Sequence, residues 1–342
     1  MGQRAVTTDL DEAQVAAPLS GAVGEGVLKH PQTDAAPLVH RGPSFLARIR
    51  RDWVMLAMVT PGVLYFLIFH YLPLFGYITA FQDYQPFLGF ADSPFVGFAN
   101  FRMMARDPKF WQAVANTLII AVLQLILYFP VPLGLALLLN GVINTSLRRF
   151  IQSIVYMPHF LSWVIVVALF QQLLGGAGAV NHLLRDFSLP TVDLMTSPPF
   201  FKWLAVIQLV WKEAGWGAII YLAALLSIDA SLYEAAAADG ANRWRRLWHV
   251  TLPGIIGVTI LLLILRLGNI LSVGFEQMLL QRTAVGPEGA EVLDTYVYFI
   301  GILGGQWGVT SAAGLIKGII GMALVLSANK IAHRLGQDGV YR

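Results

Sequence analysis

The sequence predicts an all-α, polytopic membrane protein with six transmembrane helices. Three observations predict it. Of 342 residues, 56% are hydrophobic and 13% charged, whereas soluble domains carry about 25% charged residues. Six mainly apolar runs each reach the roughly 20 residues that a helix needs to cross a bilayer. Lys and Arg are shared unequally between alternate connecting segments, as a fixed membrane orientation requires.

Residues 1–44 hold no apolar run. Asp9, Asp11 and Glu12 stand where a secretory signal carries its basic region, so the stretch reads as a disordered cytoplasmic tail. The six runs are 53–81, 113–139, 150–175, 201–229, 253–275 and 308–332. The first starts at Trp53 after Arg48, Arg50 and Arg51, and together with the outer loop behind it makes up 45–112. That loop holds Tyr84, Phe87, Phe90, Phe95, Phe98, Phe101, Phe110 and Trp111, aromatics suited to the membrane interface. The core, 113–332, holds the other five runs. The second contains VLQLILYFPVPLGLALLL, where Pro130 and Pro132 predict a kink. The third contains WVIVVALF, and the fifth, after Pro253, contains GIIGVTILLLIL. In the last, Gly314 and Gly318 have the spacing that lets helices pack closely. Residues 333–342 form a C-terminal tail.

With the N-terminus inside, fourteen Lys and Arg fall on the cytoplasmic side and six on the outer side. The inner group includes Arg148, Arg149, Arg243, Arg245, Arg246, Lys330, Arg334 and Arg342. Both termini are therefore expected in the cytoplasm.

The net charge of +3 comes with no basic block, so no nucleic-acid partner is expected. With no cysteine there is no disulfide, thiolate catalysis or thiolate metal site. None of the six lysines precedes Ser or Thr, so the chain has no phosphate-cradling loop of its own. H-E-x-x-H and G-x-S-x-G are absent, and the seven histidines never pair at i, i+4. No catalytic residue, metal site or cofactor is predicted in this chain. Uphill transport would draw on a partner or on an ion gradient.

The long polar interruption, 229–253, reads as two short helices. Ser231 with Glu234 has capping-box spacing. Ala235, Ala236, Ala237 and Ala238 give a face with little side-chain bulk, and Gly240 is a natural stop. Asn242 can cap a second helix, on which Trp244, Leu247, Trp248 and Thr251 share a face. Two readings stay open on the residues alone: a basic amphipathic helix lying on the membrane, or a peg that docks into a protein groove.

Lys212, Glu213, Arg266 and Lys317 fall inside predicted spans, with Asn269 near. An intramembrane charge costs about 2.5–3.5 kcal/mol on insertion scales, so these groups should face the bundle interior or a wet cavity. Lys212 and Glu213 are adjacent and on different faces, so each is expected to have another partner. Here too both readings stand: structural ion pairs, or a polar lining for a hydroxyl-rich solute stacked on Trp211, Trp216 and Tyr296. Glu213 against three cations leaves +2 in this layer, which favours an acidic saccharide.

The run EAAAADGANRWRRLWHVTLPGI from Glu234 resembles the EAA loop of binding-protein-dependent ABC importer permeases, in their oligosaccharide and polysaccharide (LplB-like) branch. Phe81-Gln82-Asp83-Tyr84, Gly97-Phe98-Ala99-Asn100-Phe101 and Asp107-Pro108-Lys109-Phe110-Trp111 are similar to the family's first outer loop. Trp211-Lys212-Glu213 with Gly215-Trp216-Gly217, NILSVGFEQMLL from Asn269, and Asp294-Thr295-Tyr296-Val297-Tyr298 agree as well. The match runs over 53–335.

The resemblance implies a type I importer permease of MetI-like fold in a bacterial inner membrane. It also implies an ATPase dimer that binds ATP and Mg, a second permease subunit, homologous and non-identical, and an extracytoplasmic solute-binding protein. Glu234, Ala235, Ala236, Asp239 and Gly240 would then sit in the ATPase groove, with Leu252 and Pro253 setting the angle of the next span. Two rivals are an ion-coupled secondary transporter and a membrane sensor or scaffold using the loop as its contact.

Overall fold

The computed structural model describes residues 50–192, 194–337 and 339–341; the tail expected over 1–44 lies outside them. The chain divides into two units, one ending at Val63 and one beginning at Leu64. Among the described residues five helices are long and apolar enough to cross a membrane: Trp53–Phe81, Pro108–Gly141, Trp163–Asp186, Pro198–Leu226 and Trp307–Arg334. A sixth forms if Arg243–Gly254 and Ile256–Gly268, bent by 56°, count as one span. Among the described residues the only β pairing is an isolated bridge between Gln82 and Phe95.

The first span buries none of its most apolar window. Large apolar side chains such as Met58 and Phe75 are almost wholly exposed along it. A helix that is apolar all round suits hydrocarbon rather than water.

The second span breaks at its prolines, which lack the N–H that would continue the helix. One helix runs Pro108–Tyr128, capped by the Asp107 carboxylate on the Lys109 amide at 2.9 Å, and another runs Pro130–Gly141. The third span differs from the continuous run expected over 150–175. An amphipathic helix, Thr145–Tyr156, ends before Pro158; a single tight turn covers Met157–Phe160. Ser162 then caps the helix Trp163–Leu174. The proline interrupts the ladder and the serine restarts it, which apolar content alone does not reveal.

The fourth span, Pro198–Leu226, is the most buried. It packs on both halves of the second span, on 157–160 and on the fifth span. Its buried face includes Ala205, Ala214, Gly215, Gly217, Ala218 and Ala224. Small residues let backbones approach closely: a Cβ at Gly215 would lie 3.1 Å from the Tyr156 Cα, and one at Gly217 would lie 3.0 Å from Pro132. Of the two glycines expected to pack closely on the last span, Gly314 would bring a Cβ within 3.4 Å of the Tyr77 ring. A Cβ on Gly318 would meet nothing within 4 Å, whereas one on Gly321 would lie 3.1 Å from the Gly268 carbonyl. The seam with the fifth span sits one turn after Gly318, where that span ends.

Between the fifth and last spans the backbone is irregular over 269–274, then helical at Phe275–Val285. Buried side-chain amides hold this stretch. Gln124 Nε2 donates to the Val273 carbonyl at 3.1 Å, and Asn116 Nδ2 donates to the Glu288 and Glu291 carbonyls at 3.1 and 2.9 Å. Gln208 of the fourth span exchanges hydrogen bonds with Gln281 at 3.0 and 3.1 Å and accepts one from Gln277 at 2.8 Å. All three glutamines are buried.

Candidate functional site

The loop 229–253 is a pair of helices with their own caps. The expected cap at Ser231 is corrected: Asp229 Oδ1 accepts the Ser231 N–H at 2.9 Å, so the helix begins at Ala230 and runs to Ala238. The Ser231 backbone N–H, and after it the Ser231 hydroxyl, hold the Asp229 carboxyl below its ordinary value. Gly240 ends this helix with φ +75°. Its N–H donates to the Ala237 carbonyl at 3.0 Å, and the Ala241 N–H donates to Ala236 at 2.9 Å. This backward pair is the left-handed glycine stop.

Asn242 Oδ1 caps the second helix through the Arg245 N–H at 2.9 Å. The Tyr233 and Thr251 hydroxyls meet at 3.0 Å and tie the two arms together. Of the face expected of Trp244, Leu247, Trp248 and Thr251, three members stay together, as Trp244, Leu247 and Thr251 line one cavity; Trp248 does not join them. A wide π turn over Leu247–Thr251 turns Thr251 inward and leaves Trp244 and Trp248 exposed. Leu252 and Pro253 lie in the short turn before the bend. Ile255, at the bend, is buried with Ala136, Tyr221 and Leu225. Glu234, Ala235, Asp239 and Gly240 are all exposed at the far end of the loop, with Ala236 half-buried beside them. A compact peg therefore projects from a bend that is fixed in the core.

The polar layer separates into three groups. In the first, Lys212, 7% exposed, donates to the His159 carbonyl at 2.7 Å and to Glu213 Oε1 at 3.0 Å. Glu213 Oε2 meets His159 Nδ1 at 2.7 Å, and the His159 ring stacks on Trp216 at 4.6 Å. Lys212 and Glu213 each have another partner, as expected, but the partner is one residue, His159, and the two also pair with each other. Both side chains are long, and both reach the turn at 157–160, where they also meet each other.

In the second group, Trp216, Arg266 and Asn269 line one cavity of about 260 Å³ with Tyr128 and Tyr221. Arg266 donates to Gln124 Oε1 and lies over the Tyr128 ring at 5.5 Å. In the third, Lys317 pairs with Asp294, and both line a cavity of about 440 Å³ that Asn269 also borders.

Tyr296 and Trp211 stand apart. The Tyr296 ring is buried and its hydroxyl donates to Asp107 Oδ2 at 2.9 Å. Trp211 meets Phe170 edge-on. Asp294 also revises the charge balance: three cations face two carboxylates, so the surplus is +1 rather than +2. Among the described residues Arg266 is the cation of this layer with no carboxylate within 4.0 Å. Sequence reasoning missed His159 and Asp294. The available signal was a lone ionisable residue beside Pro158 and another inside the DTYVY run.

Among the described residues no group of three or more His, Asp or Glu is placed to hold a metal. The geometry offers a structural clamp, a cationic aromatic cavity and an exposed peg.

Residues 128–337 match the family described as binding-protein-dependent transport system inner membrane component. The chain belongs to that family. The matched region contains the whole loop, all three groups of the polar layer and the gap between the fifth and last spans. The permease is 43% identical over 297 residues to the polygalacturonan/rhamnogalacturonan transport system permease protein YteP of Bacillus subtilis (strain 168), covering 86% of this chain and 92% of that one. It is also 43% identical over 302 residues to protein LplB of the same organism, covering 88% and 95%. It superposes with a TM-score of 0.80 on a chain of a bacterial alginate ABC transporter, solved in complex with an alginate pentasaccharide-bound periplasmic protein. That likeness is 38% identical and covers 87% of this chain and 100% of that chain. A second structure, of an ABC transporter involved in import of the acidic polysaccharide alginate, gives a TM-score of 0.78 at 38% identity, covering 84% and 97%. The permease is a non-catalytic transport subunit with the type I importer fold.

Removing Lys212 strips the His159 carbonyl of its donor and leaves half-buried Glu213 against a histidine alone. Breaking such a pair from one side costs about 3–5 kcal/mol. Lys212→Met should lower the melting temperature of the purified transporter by several degrees. Glu213→Gln, which keeps an acceptor for Lys212, should lower it by less. Equal melting in both variants would remove the clamp.

Proposed function

We propose that the permease moves an acidic oligosaccharide inward as one subunit of an ABC importer driven by a separate ATPase. The observation that carries the substrate reading is Arg266. It is a cation without a carboxylate partner, set beside Trp216 and Asn269 in a cavity among the spans. A guanidinium engages a carboxylate in a planar fork, an amide serves hydroxyls, and an aromatic face takes the apolar C–H edges of a sugar ring. The relatives support it: one is named for polygalacturonan and rhamnogalacturonan transport, and two similar structures are of alginate transporters.

The loop 229–253 supports the coupling reading. Its exposed tip, made of Glu234, Ala235, Asp239 and Gly240, carries little side-chain bulk, and its exit is anchored by buried Ile255. A push on the tip is delivered to the fifth span through Leu252 and Pro253. On this reading the partners are an ATPase dimer holding ATP and Mg, a homologous second permease and an extracytoplasmic solute-binding protein. Both termini lie in the cytoplasm. An ion-coupled carrier complete in itself leaves the exposed, separately capped loop without a role, as it has no ATPase to grip.

Gly240 tests the coupling. A side chain there meets nothing within 4 Å, so substitution strains the stop without a clash. Gly240→Asp should leave the protein inserted and assembled with its partners while abolishing solute-stimulated ATP hydrolysis; stimulation at the wild-type level would sink the claim. Arg266→Gln tests the solute. Uptake of uronate oligomers should exceed that of neutral ones in the wild type, and the variant should lose roughly tenfold of that preference, the equivalent of about 1.4 kcal/mol. Neutral sugars handled equally well by the wild type would remove the acidic reading.

A further inference from the structure

A further cavity, of about 890 Å³, lies between the loop and the end of the second span. Its size falls within the range of about 300–1,000 Å³ typical of ligand cavities. One wall is Gly134, Leu137 and Leu138; the other is Trp244 and Leu247, with Arg243 and Arg246 beside them. The walls are apolar, yet Arg246 Nε is buried and has no hydrogen-bond partner. An unpaired guanidinium N–H in such a place costs free energy unless an anion meets it.

The position along the chain narrows the anion. Arg243–Gly254 leads directly into the fifth span at Ile256. At 1.5 Å of rise per residue, Arg243, Arg245 and Arg246 lie within about three turns of the end of the membrane-crossing helix. Trp244 and Trp248, 70% and 64% exposed, flank them. Tryptophan with arginine at the end of a span is the chemistry of the headgroup layer. A free anion would leave the apolar walls facing water, whereas a phospholipid answers both the charge and the walls.

We propose that this cleft binds one anionic phospholipid from the leaflet on the loop's side, its phosphate on Arg246 and an acyl chain along Leu137 and Leu247. The site rests on the proposed coupling reading, with the second helix of the loop entering the fifth span at the membrane surface while the tip at 234–240 stays free for the ATPase. It would make the lever's position depend on lipid, because the same two helices carry the exposed tip.

The test uses the full transporter, delipidated in detergent and incubated with phosphatidylglycerol, phosphatidylcholine or inorganic phosphate, with bound lipid counted on the permease by native mass spectrometry. The wild type should retain phosphatidylglycerol at least tenfold better than phosphatidylcholine, and inorganic phosphate should not displace it. Arg246→Ala should lower retention about tenfold. Gly134→Leu should do the same by filling the cleft, at a position where a Cβ meets nothing within 4 Å. Unchanged retention in both variants overturns the proposal, as does displacement by inorganic phosphate. Loss of the second permease from Gly134→Leu, with lipid unchanged, would make a protein the occupant and overturn it too. Lipid is read on the permease itself, so absence of the ATPase from the preparation counts against the coupling reading and not against the lipid site.

Discussion

A bilayer core offers the backbone no water, so every N–H and C=O at that depth must find a partner inside the protein. Unbroken helices meet the demand alone. This chain breaks its spans at Phe129, at Leu161 and Ser162, and over 269–274, and the rest of the structure follows from how those breaks are satisfied. Lys212 reaches the His159 carbonyl, and Gln124 reaches that of Val273. Asn181 serves Gly175 and Val192 with the same side chain. Each donor sits on a regular helix and each acceptor at an interruption. The regular helices thereby fix the positions of the irregular ones.

The polar layer takes its form from this duty. Lys212 and Glu213 are committed to the turn at 157–160, and Lys317 is committed to Asp294. Arg266, bonded to a neutral glutamine, keeps its charge available among the spans. Interior charge is costly, so a cation without a counter-ion at this depth is a feature that binding an anionic solute would account for.

The loop 229–253 meets the demand differently. The loop closes its own helix ends with Asp229, Gly240 and Asn242, and joins its arms through Tyr233 and Thr251. It joins the spans through buried Ile255, with Leu252 packed against the same cluster. A self-contained unit on a buried hinge transmits displacement, whereas a loosely attached loop would absorb it.

The spans were legible in the sequence because a run of twenty apolar residues has few other uses. The glycine stop at Gly240 and the cap at Asn242 were legible because each depends on one residue and its immediate neighbours. The interruption near Pro158 was obscured by the apolar side chains around it. The cap is Asp229 and not the expected Ser231; both residues suit the role, and the choice depends on where the preceding span ends. That Lys212 and Glu213 each have another partner was legible from their different helix faces; their pairing with each other was not, because two long side chains converge on a third segment. The pairing of Asp294 with Lys317 was not legible because Asp294 lies in a short helix after the fifth span, and only folding brings the two together. The account now turns on the loop tip as the surface an ATPase grips. The natural absence of cysteine permits a direct measurement, labelling of a single Ala235→Cys by a water-soluble maleimide in inside-out vesicles. The account predicts ready labelling of the permease alone and strong protection once the ATPase subunits are bound; equal labelling in both states would contradict it.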